Sequence, residues 1–332
     1  MDKGNGWPPS TQYLQKADVG GVIAAWRKLV PILLYEPEKV GHVAALVERI
    51  AAAFATVRTL KPEGIDGRSR EEIRIALVEA CEKGAFTKFL REVESLNETL
   101  TKRARKVGAA SVAERKLRIA RTAAKQTTNP RGISAAMMLL ESEGCAPATL
   151  ATFEKLVALT PKARQDIDED VKREVMKGAR ERLFCLDPLV VKKTVKTAPR
   201  GKTKDLSGLR FEHLQNVLTH GGEFAVSFLT LLFEQIGRNP ACVGATISRA
   251  RSVGVPKKDA SIRPIGITSV FRRIWAKIIL KEFGRQYEEV LTQRHPQTVQ
   301  LAVGVKGGAM QGGIYVNLLR DRSQTTFTSN WM

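Results

Sequence analysis

The sequence has few of the features that mark secreted, metal-binding or membrane proteins. Its four cysteines, Cys81, Cys145, Cys185 and Cys242, are scattered without a Cys-x-x-Cys pair, and its four histidines show no metal-ligand spacing. No apolar run approaches the roughly 18 to 20 residues that a membrane-spanning helix needs. The polar N-terminus, MDKGNGWPPS, lacks the apolar core of a signal peptide. These absences predict an intracellular protein with no metal site and no membrane partner.

Acidic residues are also scarce, because 34 Asp and Glu stand against 54 Lys and Arg, which gives a formal net charge of +20. An excess of this size is more than solubility requires, and it predicts a polyanionic partner, RNA or DNA. The 332 residues, 43% of them apolar, can bury a core and suit two or three domains. The sequence does not distinguish RNA from DNA, since phosphate contacts carry little base identity.

The first 190 or so residues are predicted to be almost entirely helical, because apolar residues recur at three- and four-residue steps. One predicted helix face consists of Val43, Val47, Ile50, Phe54 and Val57. Capping boxes mark two helix starts, at Ser69 with Glu72 and at Ser111 with Glu114, where each side chain can satisfy a free backbone donor.

The segment from Lys102 to Arg131 is strongly basic and contains a single acid, Glu114. The candidate phosphate-contacting residues in it are Lys102, Arg103, Arg105, Lys106, Arg115, Lys116, Arg118 and Arg121. Such a surface can follow a phosphate backbone. A solvated helix face is the competing interpretation, and both stay open.

A change of composition at residues 190–208, VVKKTVKTAPRGKTKDLSG, predicts a domain boundary, because Pro, Gly and Lys replace the helical pattern. Gly201-Lys202-Thr203 resembles the end of a phosphate-binding loop, but Lys196 stands where that motif has its first glycine. No such loop is predicted. KKTVKTAPRGKTK is a basic stretch of the kind that directs nuclear import, and a nuclear location would suit a nucleic-acid-binding protein.

Beyond this boundary, SGLRFEHLQNVL and EFAVSFLTLLFEQIG are predicted to form two helices, the second ending at Gly237. Two short β-prone runs follow, around Val253 and across 262–267, and a basic turn between them predicts a hairpin. Ser269 is predicted to cap a further helix, VFRRIWAKIILKEF. The buried side of that helix is predicted to consist of Val270, Ile274 and Ile278.

Three blocks in this part of the chain carry a resemblance: SGLRFEHLQ (207–215), VPKKDASIRPIGITSVFRRIWAKII (255–279) and QLAVGVKGGAM (300–310). In this order they resemble the N-terminal part of the polymerase domain in reverse transcriptases of non-LTR retrotransposons. There, similar blocks form the helix leading into the fingers, the fingers hairpin with its helix, and a glycine-rich start of a palm helix.

The resemblance implies a mainly α fold with a small α+β part, in which a helical N-terminal region precedes an incomplete fingers and palm portion of a right-hand polymerase. It divides the chain into residues 1–114, a helical region of unknown role, residues 115–200, a basic helical region and linker, and residues 201–332, the incomplete fingers and the start of the palm.

By the same resemblance, Arg263, assisted by Lys257 or Lys258, is the candidate for binding the triphosphate of a nucleotide. A planar guanidinium can bond two phosphate oxygens at once, although a solvated basic hairpin would have the same composition. The candidates for contact with a nucleic-acid strand are Gly304, Lys306, Gly307 and Gly308, since glycine lets backbone approach closely.

Polymerisation in that family uses magnesium ions bound by a palm aspartate and by a Tyr/Phe-x-Asp-Asp turn. This sequence contains no Asp-Asp pair, so no catalytic residue and no cofactor is predicted in this chain, although Mg²⁺ is expected for an intact relative. If FTSNWM corresponds to the strand with the first aspartate, Asn330 stands in its place. The resemblance implies a truncated protein that binds nucleic acid and does not polymerise by itself.

Two alternatives stay open. The chain could be part of an active element whose catalytic portion lies on a longer product. It could also be a basic, all-helical RNA- or DNA-binding protein unrelated to retroelements, and that alternative predicts no hairpin between Val253 and Ile267.

Overall fold

The computed structural model describes residues 14–106, 149–159, 185–239, 249–257 and 261–294, with isolated positions at 117, 120, 124, 146, 170, 173, 242 and 243. In this part of the chain, the prediction of a mainly helical protein with a small β part is confirmed. The elements are α1 (Lys16–Tyr35), α2 (Val40–Val57), α3 (Arg70–Glu82), α4 (Phe86–Lys106), α5 (Leu150–Leu159), α6 (Pro188–Lys196), α7 (Phe211–Arg238), β1 (Ala250–Pro256), β2 (Ile262–Thr268) and α8 (Val270–Arg294).

Helix α2 is the centre of the N-terminal helices, and it is buried on almost every side. The predicted apolar face from Val43 to Val57 is confirmed, since each of its five members is at most 3% exposed. A helix that is apolar all round must lie inside a protein or a membrane. Here α1, α3 and α7 pack around it. In the described residues, Pro37–Val57 is the one helical stretch long and apolar enough to cross a membrane, and 78% of its most apolar window is buried within the protein.

The predicted start of α3 is confirmed as a reciprocal capping box. The Glu72 backbone N–H donates to Ser69 Oγ (3.2 Å), and the Ser69 backbone N–H donates to Glu72 Oε2 (2.6 Å). The second predicted box, at Ser111 and Glu114, lies outside the described residues.

Residues 190–196 are helical, although their composition predicted the start of a linker. Helix α6 begins after Asp187, whose side chain accepts a hydrogen bond from the Leu189 N–H (2.8 Å), and Pro188 occupies the first helical turn. Val191 and Val195 are buried where α6 packs on α7 and α8. An apolar pair one turn apart therefore outweighs the lysines around it. The division into three domains stays a prediction.

Helix α7 joins the N-terminal helices to α8. Gly222 interrupts it with a φ of 61° and a ψ of −148°, so the two predicted helices are found as two segments. Phe228 stacks on Trp26 of α1 with 4.6 Å between ring centroids. Phe233 meets Phe271 of α8 edge-on at 5.8 Å. Through these contacts α1, α7 and α8 share one hydrophobic core.

The predicted hairpin is confirmed. Strands β1 and β2 pair antiparallel, with Ala250 opposite Thr268 and Pro256 opposite Ile262. Helix α8 follows directly: Ser269 Oγ accepts the Phe271 N–H (3.1 Å) as the predicted cap. Its predicted buried side is confirmed, since Val270, Ile274 and Ile278 are fully buried.

Replacement of Gly222 by alanine is expected to lower the free energy of unfolding by about 1–3 kcal/mol, because only glycine adopts this backbone conformation without strain. No atom lies within 4 Å of the position of the added Cβ, so the backbone alone causes the loss. Urea denaturation measures it.

Gly20→Ala is the matched control, since Gly20 is an exposed residue of α1 with equally open surroundings. It is expected to raise the unfolding free energy by about 0.5–1 kcal/mol, because alanine favours a helix. Effects of the same sign in both variants would contradict the assignment of the kink to glycine.

Candidate nucleic-acid interface

Helix α8 presents three cations on one side, because Arg273, Lys277 and Lys281 recur at four-residue steps and neighbours at that spacing share a helix face. The Arg273 guanidinium lies 4.6 Å from the centroid of the Phe211 ring, and Lys277 Nζ lies 5.8 Å from it. Lys281 Nζ donates to Thr194 Oγ1 on α6 (3.1 Å). Phe211 is buried, and its ring packs beneath the cations of α8.

The same surface continues onto α6 and toward the hairpin. Burial, then Lys193 and Lys277, lower the pKa of Lys281. At the other end, burial, then Arg210 and Arg251, lower the pKa of Lys204 to about 8. Like charges depress the pKa of a lysine only when they lie close to it. Cations are therefore crowded at both ends of this surface.

In the middle of this surface, two arginines donate hydrogen bonds to backbone carbonyls. Arg210 Nη1 donates to the Lys202 carbonyl (3.3 Å), and Arg273 Nη2 donates to the Thr203 carbonyl (3.4 Å). These bonds fix both guanidiniums beside Lys204. We call the resulting set the basic track; it consists of Arg251, Lys204, Arg210, Arg273, Lys277, Lys281 and Lys193.

Among the described residues, α5 covers one face of the hairpin and leaves the other face open. The Ala146 N–H donates to the Gly254 carbonyl (2.8 Å), and a Cβ at Gly254 would stand 3.7 Å from Leu156 of α5. Gly254 thus faces α5, and successive strand residues point to opposite faces. Val253 and Arg251, which lie one and three residues before Gly254, therefore point away from α5. Strand pairing places Val255 opposite Arg263, and Arg263 therefore belongs to the open face.

Two of the predicted triphosphate-binding residues are brought together on that open face. The Lys257 N–H donates to the Ser261 carbonyl (2.9 Å), which places Lys257 diagonally across from Arg263 at the hairpin tip. Diagonal partners are about 7–8 Å apart, within reach of long side chains. Both residues are exposed. The open face therefore has cations at its tip and Arg251 of the basic track at its base.

The other predicted site residues lie outside the described part of the chain, entirely or in their side chains. Lys102, Arg103, Arg105 and Lys106 form the last turns of α4, and the described part of the chain does not include their side chains. Outside the described residues altogether lie Arg115, Lys116, Arg118, Arg121, Lys258, Gly304, Lys306, Gly307, Gly308 and Asn330.

Most residues of the basic track were missed by sequence reasoning. The spacing of Arg273, Lys277 and Lys281 is visible in VFRRIWAKIILKEF and could have identified that side of α8. Lys204 and Arg251 lie in different segments, and only folding brings them together.

Two buried carboxylates lie behind the basic track. Asp205 Oδ1 accepts hydrogen bonds from the Ser207 N–H (3.0 Å) and O–H (2.7 Å) and from the Leu209 N–H (3.0 Å). Its Oδ2 accepts the Val270 N–H (2.8 Å) at the start of α8. Asp205 is 1% exposed. Four donors around one carboxylate favour its ionised form.

Glu48 of α2 is the second carboxylate. The Ser269 hydroxyl donates to it, and the Phe271 backbone N–H also bonds to it. Burial, then the charge of Asp205, raise the pKa of Glu48 to about 8. Burial also raises the pKa of Asp205. Two close carboxylates in a buried site do not both ionise readily. Burial and the charge of Asp205 therefore favour the protonated form of Glu48, whereas the four donors around Asp205 favour the ionised form of Asp205.

The pair borders a cavity of about 650 Å³ between α2, α4 and the segment at 205–207. Arg273 interacts electrostatically with the pair: burial lowers its pKa, and the charges of Asp205 and Glu48 act to raise it. One guanidinium of the basic track therefore offsets negative charge on the pair.

No protein-family model, no curated protein and no solved structure matches this chain.

Stability should fall with rising pH because of Glu48. Its folded-state pKa of about 8 lies above the ordinary 4.5, so the folded protein binds more protons than the unfolded chain between those values. The contribution to stability is fully present below pH 4.5 and is lost as the pH rises through about 8. Glu48→Gln keeps an acceptor for Ser269 and removes the titration. It is expected to abolish a loss on the order of a few kcal/mol between about pH 5 and 8.5.

Urea denaturation at a series of pH values tests this expectation, with Glu63→Gln as the control because the Glu63 side chain is 68% exposed. The control should keep the pH dependence of the original protein. An unchanged pH dependence in Glu48→Gln would show that other groups cause it.

Proposed function

We propose that this chain is a reverse-transcriptase-like protein of the non-LTR retrotransposon kind, and that it binds RNA or DNA through the basic track and the open face of the hairpin. The observation that carries the proposal is the placement of Arg263 and Lys257 at the exposed tip of a hairpin. That hairpin follows α7 and leads directly into α8, as the resembling blocks require. The location that suits this function is intracellular, with the nucleus favoured.

The charge distribution supports a polyanionic partner. Three of the seven track residues are exposed lysines on α6 and α8, and the other four are half-buried. Two of the half-buried residues, Arg210 and Arg273, donate to backbone carbonyls. Fixed guanidiniums lose little freedom when they bond phosphate. Phe211, which is only 3% exposed, packs against Arg273 and Lys277 and so holds both cations in place.

Magnesium is the cofactor that the resemblance implies, and the residues present do not fit it. The sequence has no Asp-Asp pair. Among the described residues, no group of three or more Asp, Glu, His or Cys could hold a metal ion. We therefore derive no step through magnesium, and we propose binding without nucleotide incorporation by these residues alone.

A nucleic-acid-binding protein unrelated to retroelements is the second candidate. The helical assembly of α1 to α4 around α2 favours it, because this assembly has no counterpart among the resembling blocks. The hairpin between Val253 and Ile267 favours the first candidate, since an all-helical protein would lack it.

Filter binding of the full chain to a single-stranded oligonucleotide across a salt series tests the binding proposal. Lys277→Ala and Lys281→Ala are each expected to reduce the slope of log affinity against log salt by about 0.7, because each phosphate contact releases a counterion. Lys61→Ala is the control, since that side chain is 84% exposed in the turn after α2. Equal changes of slope in all three variants would show that the basic track is not the binding surface.

Primer extension with magnesium on an RNA template, run on the same preparation, tests the proposal that the chain does not incorporate nucleotides. Binding without incorporation is the expected result. Incorporated nucleotide would contradict it and would require metal ligands outside the described residues.

Arg263→Ala is expected to weaken binding of a nucleoside triphosphate about tenfold or more, because hydrogen bonds to charged groups contribute roughly 1.5–3 kcal/mol. Arg263→Lys should restore only part of the affinity, since an ammonium cannot bond two phosphate oxygens in the same planar way. Equilibrium dialysis measures the dissociation constants. Arg91→Ala, at an exposed position of α4, is the control, and equal affinities of Arg263→Ala and the control would exclude the hairpin tip.

A further inference from the structure

Arg273 interacts both with residues of the basic track and with the buried acid pair. Toward the surface, its guanidinium donates to the Thr203 carbonyl and lies over the Phe211 ring. Toward the interior, its charge interacts with Asp205 and Glu48. Arg273, a half-buried member of the basic track, therefore also interacts electrostatically with a buried acid pair.

The acid pair is attached to the track by hydrogen bonds as well as by charge. Asp205 accepts the Val270 N–H, and Glu48 bonds to the Ser269 hydroxyl. Both donors belong to the start of α8, the helix that carries Arg273 one turn later. The pair and the guanidinium are consequently fixed relative to one another, and a change of charge on one acts on the other.

We propose that binding of a polyanion to the basic track is coupled to uptake of a proton by the Glu48–Asp205 pair, and that Arg273 transmits this coupling. The proposal rests on the proposed function, because it requires that a polyanion binds the track. It assigns Glu48 a positioning role behind the track, without contact with the bound strand.

The physical cause is competition for one positive charge. In the free protein, Arg273 favours the ionised form of the carboxyl pair. A phosphate beside Arg273 offsets that positive charge, so that ionisation of Glu48 becomes less favourable and its proton is held more tightly. Coupling is reciprocal: loss of the proton at high pH places a second negative charge behind the track and weakens binding.

Other charged groups around Glu48 affect where the pair titrates. Among the described residues, the charged and titratable side chains that face it or line the same cavity are His42, Arg49, Glu94, Asp205, Cys242, Arg249 and Arg273. Of these, Arg273 alone is also a member of the basic track. Lys204 needs separate treatment, because its own pKa of about 8 makes it lose charge over the same pH range.

The test uses the full chain with Lys204→Arg, which keeps the charge at position 204 throughout. Affinity for an oligoadenylate, whose bases do not titrate in this range, is measured between about pH 6.5 and 9 at constant salt. The affinity is expected to fall about three- to tenfold, which corresponds to a change in the pKa of the pair of about half to one unit on binding. Adding Glu48→Gln should remove most of this fall and leave the affinity at low pH in place.

The uptake of protons on binding can be measured without a substitution at Glu48. Calorimetry of Lys204→Arg near pH 8, in two buffers with different ionisation enthalpies, should show a fraction of a proton taken up per complex. No uptake, or an equal pH dependence with and without Glu48→Gln, overturns the coupling while binding itself persists. Absence of binding even at low pH overturns the proposed function, and the coupling with it.

Discussion

The start of α8 is held by two carboxylates that come from distant parts of the chain, and the candidate site depends on this contact. A helix N-terminus carries partial positive charge and free N–H groups, which favour an anion. Asp205 supplies a carboxylate from the segment before α7, and Glu48 supplies one from α2 by way of Ser269, 221 residues away in sequence. A single residue, Ser269, separates the hairpin from this helix. Buried hydrogen bonds therefore set the orientation of the hairpin relative to the N-terminal helices.

The carboxyl groups of Asp205 and Glu48 and the guanidinium of Arg273 interact in a partly buried region. Burial of one carboxylate is unfavourable unless it is neutralised or hydrogen-bonded. In this protein Asp205 is hydrogen-bonded, the pKa of Glu48 is raised, and the charge of Arg273 acts on both. The aromatic contacts of α7 with Trp26 and Phe271 join α1 and α8 to the same core. Packing thus positions the polar groups, and these in turn position the cations that reach the surface.

Local sequence patterns predicted local structure well. The apolar face of α2, the capping box at Ser69, the hairpin and the cap at Ser269 all depend on neighbouring residues, and all were found. Helix α6 was missed because two buried valines determine its conformation among several lysines. The acid pair could not be predicted, since Glu48 and Asp205 meet only where both bond to the start of α8. A glutamate inside the largely apolar VGHVAALVERIAAAFATV was a visible signal of a buried charge, but it did not identify the partner.

The long sequence separation between α1 and α7 affects how the chain is made. The Trp26 ring is covered by Phe228, and the Leu14 N–H bonds to Asn216, a partner 202 residues later. At a synthesis rate of about 5–20 residues per second, roughly 10–40 seconds pass before the ribosome delivers α7. During that interval α1 and α2 have left the exit tunnel with their apolar surfaces incompletely covered. Until translation supplies α7, the apolar surface that α7 covers in the folded protein stays exposed, and exposed apolar surface makes a nascent chain prone to aggregation.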